Sequence, residues 1–103
     1  MKTYFTNLTP HAINEVTTGQ TFPPSGISAR VATTSEEVEV VDGIPFNKTQ
    51  FGEVAGLPDP TPNVIYIVSG LVKSAVDRSD VVSPSTLVRD EGGNIIGCRG
   101  FNV

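Results

Sequence analysis

The chain has 103 residues, of which 38% are hydrophobic and 17% are charged. This length fits a single domain spanning residues 1–103, and the balance is too apolar and too weakly charged for a disordered chain. The net charge is −4 and the seven basic residues are scattered, whereas proteins that bind duplex nucleic acid usually carry a basic cluster. We therefore expect no duplex nucleic acid among its partners.

The single cysteine, Cys98, excludes an internal disulfide and a metal cluster built from cysteines. The first seven residues contain no apolar segment, and the longest apolar runs, such as residues 64–68, are far too short to span a membrane. We expect no signal peptide, no membrane partner and a cytoplasmic location. No motif indicates a bound cofactor or metal ion.

Short strands and tight turns are predicted by the eight prolines and ten glycines, which divide the chain into short pieces. Asp42-Gly43 stands between two apolar residues and predicts a two-residue hairpin turn, because both turn positions favour positive φ. The strands predicted in this half, from their aromatic and β-branched residues, are 3–8, 12–16, 27–33, 38–41 and 51–54.

A continuous apolar, β-branched run at residues 64–68 predicts a central strand that is buried on both faces. Ser69 follows as a helix N-cap, and residues 70–77 form the one predicted helix. We expect Leu71 on this helix to share a core with Val68 and its neighbours Val64 and Tyr66.

A closing hairpin is predicted at residues 87–90 and 94–98, around a glycine-rich turn. Together the elements predict an α+β fold with a small, mostly antiparallel sheet and one short helix. An open sheet and a barrel-like sheet are both compatible with this pattern. Because short strands leave unpaired edges, we expect a homo-oligomer.

An ordered set of short motifs runs through nearly the whole chain. The motifs are Asn7-Leu8-Thr9-Pro10-His11, Pro23-Pro24-Ser25-Gly26, Ala29-Arg30-Val31, Gly43-Ile44-Pro45, Gly56-Leu57-Pro58, Tyr66-Ile67-Val68-Ser69, Val88-Arg89-Asp90-Glu91 and Ile96-Gly97-Cys98-Arg99. This set resembles a family of small proteins from bacteriophages, prophages and actinobacterial genomes. The resemblance implies a phage or prophage context, and it implies no catalytic residues.

Candidate site residues lie at two breaks in the predicted strands. His11, the only histidine, is interpreted either as a ligand contact or general base, or as a turn histidine bound to nearby backbone. Ser69 and Gly70 stand where a buried strand enters a helix, a place that allows close approach of an anion, although most such junctions bind nothing. Cys98 lies in an apolar strand and is interpreted as a small buried hydrophobe.

Three arginines complete the candidate ligand site. Arg30, Arg89 and Arg99 fall in or beside predicted strands, where an arginine either guards a solvated edge or lines a cavity and binds phosphate. Asp90 and Glu91 beside Arg89 favour a charged hairpin end at that position.

Three functions remain open from the sequence. The leading hypothesis is a binding protein that sequesters a small anionic, nucleotide-like ligand, as a phage counter-defence sponge would. The alternatives are a protein inhibitor of a host enzyme and a small hydrolase that uses His11 with a carboxylate.

Overall fold

The computed structural model describes residues 2–103, which form ten strands and one short helix. The fold is α+β, as predicted. In chain order the elements are β1 (Tyr4–Asn7), β2 (Ile13–Glu15), β3 (Gln20–Phe22), β4 (Arg30–Val41), β5 (Ile44–Ala55), β6 (Val64–Ile67), α1 (Gly70–Ala75), β7 (Val81–Pro84), β8 (Leu87–Arg89), β9 (Ile95–Cys98) and β10 (Phe101–Asn102).

Two four-stranded sheets and one two-stranded ribbon make up the molecule. The first sheet has the order β1-β6-β7-β10, and its strands β1, β6 and β7 run parallel. The second has the order β3-β2-β9-β8, with β2 and β9 parallel. Four of the seven strand pairings in the described part of the chain are antiparallel and three are parallel, so the sheets are mixed. The barrel-like form that the sequence left open is not found, since no sheet formed by residues 2–103 closes into a barrel.

Strand β6 is the centre of the molecule, as its apolar run predicts. It lies between β1 and β7, and its alternating side chains enter two different cores. Tyr66, together with Val68 just beyond the strand, packs with Leu8 and Val81 in the first core. Ile67 lies in the second core, which the second sheet completes with side chains such as Ile13 and Cys98.

Helix α1 begins after Ser69, whose hydroxyl accepts a hydrogen bond from the Val72 N–H at 3.3 Å. The helix has six residues, joins β6 to the parallel strand β7, and buries Val72. The expectation that Leu71 enters the core is wrong, because Leu71 is 51% exposed. A helix of this length presents only one side chain fully to the sheet, and Val72 occupies that position.

Strands β4 and β5 form a long hairpin that leaves the body of the molecule. Its turn is Asp42-Gly43, as predicted, with φ of 51° and 80°. Every residue from 32 to 53 is exposed, and we call this segment the arm. The radius of gyration is 16.3 Å, against about 13 Å for a compact domain of this size, so the arm extends the molecule well beyond a compact shape.

The carboxylate of Glu15 on β2 joins the β2–β3 turn to the link between β9 and β10. It is buried and accepts hydrogen bonds from the Thr17 hydroxyl, the Thr18 N–H at 2.8 Å and the Gly100 N–H at 2.9 Å. The Thr17 hydroxyl and then the Gly100 N–H are the main causes that lower its pKa from 4.5 to about 2. Glu15 thus fixes both the β2–β3 turn and the approach to β10.

We predict that Val68→Asp prevents folding, because Val68 is 0% exposed and an unpaired carboxylate there costs several kcal/mol of a total stability of about 5–15 kcal/mol. Leu71→Asp is the matched control and should melt close to the parent temperature. Circular dichroism melts of both variants provide the measurement. A cooperative melt of Val68→Asp at the parent temperature would contradict this core.

We predict that the stability difference between the parent and Glu15→Gln depends on pH. Because the folded-state pKa is lowered, the carboxylate stabilises the fold above about pH 4.5, and this contribution disappears as the pH falls towards 2. Urea midpoints of both proteins should therefore differ most near neutral pH and converge in acid. Glu91→Gln, on an exposed turn, should show no such convergence; a constant Glu15 difference down to pH 2 would refute the interpretation.

Candidate functional site

Two open cavities are lined by residues of the β1–β2 turn and of the start of α1. The smaller one has a volume of about 250 Å³ and the larger one about 730 Å³. Thr9 and Ser69 line both cavities. The two cavities are therefore neighbours that share one polar boundary.

The side chain of Asn7 builds the turn that carries Thr9 and His11. It is buried, and its amide nitrogen donates to the carbonyl oxygens of His11 at 2.8 Å and Phe22 at 2.9 Å. Its amide oxygen accepts from the N–H of Thr9 at 2.9 Å and from the Thr9 hydroxyl at 2.6 Å. The backbone of the turn is thereby fixed without help from a sheet.

The walls of the larger cavity are mainly apolar. Ile13 and Cys98 are buried and form its floor, whereas Leu87, Ile95 and Ile96 are about half exposed and form its rim. These three rim residues come from the β8–β9 hairpin. The rim therefore presents large hydrophobic side chains to solvent around an open space.

Polar groups enter the larger cavity from one side. They are the turn residues Thr9 and His11, the helix-start residues Ser69 and Gly70, and Asn14 on β2. Asn14 is held in place, since its amide nitrogen donates to the Ile96 carbonyl at 3.1 Å and its amide oxygen accepts from a threonine hydroxyl at 2.9 Å. This combination of apolar walls and a few polar groups is typical of small-molecule sites.

Close packing of β9 on β2 shapes the same cavity. A Cβ at Gly97 would lie 2.8 Å from the Asn14 carbonyl oxygen and 2.9 Å from Val16 Cγ1. Only glycine allows this approach, and the approach places the rim residue Ile96 beside Asn14.

Arg30 supplies positive charge to the smaller cavity. It stands at the first position of β4, opposite Ala55 at the base of the arm, and lines the cavity together with Thr9, Ser28 and Ser69. Within residues 2–103 the only ion pair joins Arg78 and Asp80 at 2.6 Å, so no carboxylate lies within 4 Å of the Arg30 guanidinium.

The structure places Arg89 and Arg99 outside the lining of both cavities. The guanidinium of Arg89 donates to the Gly93 carbonyl at 2.9 Å across the β8–β9 turn, as expected of a charged hairpin end. Arg99 is exposed between β9 and β10, and its backbone N–H binds the carbonyls of Ser85 and Thr86. Of the six predicted site residues, His11, Arg30, Ser69 and Gly70 are thus brought together.

The groups at this site are poorly suited to nucleophilic catalysis. Cys98 is buried on the cavity floor, and burial first, with the charge of Glu15 second, raises the pKa of its thiol. Within residues 2–103 no carboxylate lies within 4 Å of the His11 ring, and no group of three or more His, Cys, Asp or Glu residues is placed to hold a metal ion.

Two residues that organise the site were missed by the sequence interpretation, Asn7 and Glu15. Both are buried polar residues whose side chains bind backbone groups of the next turn. An Asn or Glu at the end of a short strand, followed two residues later by a threonine, is the local signal that indicates such turns.

Comparison with known proteins adds no relative to this picture. No family model, no curated protein and no solved structure matches the chain. Within residues 2–103 there is no helix with the length and apolarity needed to cross a membrane. The geometry of the two cavities is therefore the basis for a function.

Proposed function

We propose that the protein binds a small anionic, nucleotide-like ligand across the two neighbouring cavities and sequesters it. Its phosphate lies against Arg30 in the smaller cavity, and its base and sugar lie in the larger one. In the phage context that the motifs imply, such a protein is a counter-defence sponge that works in the host cytoplasm on a nucleotide-derived signal.

The observation that carries this proposal is the shared boundary of Thr9 and Ser69 between an arginine-lined cavity and an apolar one. Ligand pockets usually measure about 300–1,000 Å³, and the larger cavity, at about 730 Å³, lies within that range. A nucleotide likewise joins an apolar base to a charged phosphate. The two hydroxyls at the boundary are suited to bind the polar atoms between those ends.

The distribution of charge supports an anionic ligand despite the net charge of −4. The arm, residues 32–53, holds five acidic residues and one basic residue, a net −4. The rest of the chain holds six acidic and six basic residues and is neutral. The body that forms the cavities therefore does not repel an anion through its net charge, and Arg30 acts without a neighbouring carboxylate partner.

His11 has the role of a ligand contact in this proposal. Its backbone carbonyl is fixed by Asn7, while its exposed ring lies on the polar side of the larger cavity. Imidazole donates and accepts hydrogen bonds and also stacks on planar groups. These properties suit contact with a nucleotide base or sugar.

Calorimetry with a panel of cyclic and linear nucleotides tests the proposal. We predict that one or more members bind the parent protein, and that Arg30→Ala weakens this binding about tenfold to about a hundredfold, because a hydrogen bond to a charged group contributes about 1.5–3 kcal/mol. Affinity should also fall as the salt concentration rises.

Lys2→Ala is the matched control, since it removes one positive charge from an exposed position outside both cavities. It should leave the affinity close to that of the parent. Equal losses in the two variants would show that only the overall charge matters. Full affinity of Arg30→Ala would disprove the placement of the phosphate, and a panel without any binder would disprove the proposed function.

A further inference from the structure

The arm carries large hydrophobic side chains on both of its faces, and nothing covers them. Val38, Val40, Val41, Ile44, Phe46 and Phe51 are each between 39% and 59% exposed. Contacts with the body are confined to the base of the hairpin, where Val31 and Val54 pack on the first core. A two-stranded hairpin alone is marginally stable in water, so an arm of this length needs a partner surface.

We propose that the arm is an exchange arm: one of its faces packs on the body of a second copy of this chain, with its tip on the rim of the larger cavity, and the second copy returns the same contact. The tip consists of residues 38–46, and the rim consists of Leu87, Ile95 and Ile96. The proposal goes beyond the ligand site and does not rest on it.

The outer edges of the arm argue against pairing by strand addition. Near the tip, β4 bears Glu36, Glu37 and Glu39, and its register shifts between the last two. On β5, Pro45 stands next to the Val41–Ile44 pair that closes the turn, so its nitrogen, which has no hydrogen, faces the outer edge. Charges, a bulge and a proline are the features that prevent edge-to-edge association. The arm must therefore bind through its faces.

The distribution of charge excludes a second arm as the surface that covers the first. Each arm has a net charge of −4, whereas the rest of the chain is neutral. Two packed arms would therefore repel each other, and an arm on a body would not. Arg89 lies between the rim residues Leu87 and Ile95 in the sequence, Arg99 follows Ile96 by three residues, and neither arginine lies within 4 Å of a carboxylate in residues 2–103. The acceptor hairpin and its neighbouring residues therefore offer two positive charges to the glutamates of an incoming arm.

The area of the arm favours a reciprocal contact. The part of each strand that belongs to the arm has about ten residues, so the arm is about 34 Å long and about 10 Å wide, and one face covers about 340 Å². Specific interfaces bury about 600–1,000 Å² of each partner. One arm on one body falls short of this range, but an exchange in which each chain gives one arm face and one acceptor surface, about 700 Å² in all, reaches it. A two-fold exchange also closes the assembly at a dimer.

The rim is the matching surface on the body. Leu87, Ile95 and Ile96 come from one hairpin and are about half exposed around an open space. An arm that lies over them covers the mouth of the larger cavity. The mouth is then closed by the partner, while the lining of the cavity, with His11 and Ser69, stays within one chain.

Sedimentation velocity of the ligand-free full chain, from low to high micromolar concentration, tests the proposal. We expect the parent to sediment at twice the 10.9 kDa mass of one chain. The double variant Ile44→Ser/Phe46→Ser should raise the dissociation constant at least about a hundredfold, as interface anchors do. Ile96→Ser should weaken the dimer from the acceptor side.

Ile27→Ser is the matched control, because Ile27 is 55% exposed and lies outside both the arm and the cavities. It should leave the dimer unchanged. Circular dichroism verifies that the arm variants keep a folded body, as expected for side chains outside both cores. Mixing the arm variant with Ile96→Ser should restore part of the association, since the mixed dimer contains one contact with an intact arm and an intact rim.

A parent chain that is monomeric at every concentration would overturn the proposal and leave the arm to a host protein partner. A dimer that survives the double arm variant would overturn it too. A dimer that is lost with the arm variant but unaffected by Ile96→Ser would overturn the assignment of the rim. Because no nucleotide is present, none of these outcomes depends on the proposed ligand.

Discussion

The buried amide of Asn7 is the interaction on which the site depends. Asn7 ends β1. Its side chain forms hydrogen bonds with backbone groups of Thr9, His11 and Phe22, bonds that strand pairing would supply inside a sheet. At the same point the Leu8 N–H binds the Ile67 carbonyl at 2.8 Å, which ties this turn to the end of β6. Because β6 runs parallel to β1, both strands end on the same side, and Thr9 and Ser69, which follow them, line the same two cavities. The boundary between the two cavities follows from this pairing.

Local sequence signals predicted the elements around that boundary. They did not predict which distant strands pair with one another. The apolar run of β6 and the cap at Ser69 are readable because both depend on neighbours in the sequence. Pro84 ends strand β7 and pairs with Phe101, a contact that only the folded chain provides. Parallel pairs such as β1 with β6 join distant segments and have no turn signature, which is why an antiparallel sheet was expected.

The arm shows a different limit of sequence interpretation. Its two strands were predicted only in pieces, because Glu36, Glu37 and their cross-strand neighbours Lys48 and Asn47 lack the alternation of a half-buried strand. Alternation of apolar and polar residues arises when one face of a strand is buried, and the arm has no buried face. The turn at Asp42-Gly43 was nevertheless predicted, since positive φ is a local requirement. Polar strands away from a core are therefore found through their turns and not through their periodicity.

The uneven distribution of charge between the acidic arm and the neutral body bears on both the proposed ligand site and the proposed arm contact. With the whole net charge on an arm that leaves the body, the neutral body can bind an anion at Arg30 and can also accept the acidic arm of a second copy near Arg89 and Arg99. The three arginines then serve two surfaces: Arg30 lies at the base of the arm beside the smaller cavity, whereas the other two lie beside the rim. In the proposed dimer the rim of the apolar cavity also receives the arm, so closing the dimer would shield the proposed ligand from water. Shielding strengthens the attraction between a guanidinium and a phosphate, and slow release of the ligand is what sequestration requires.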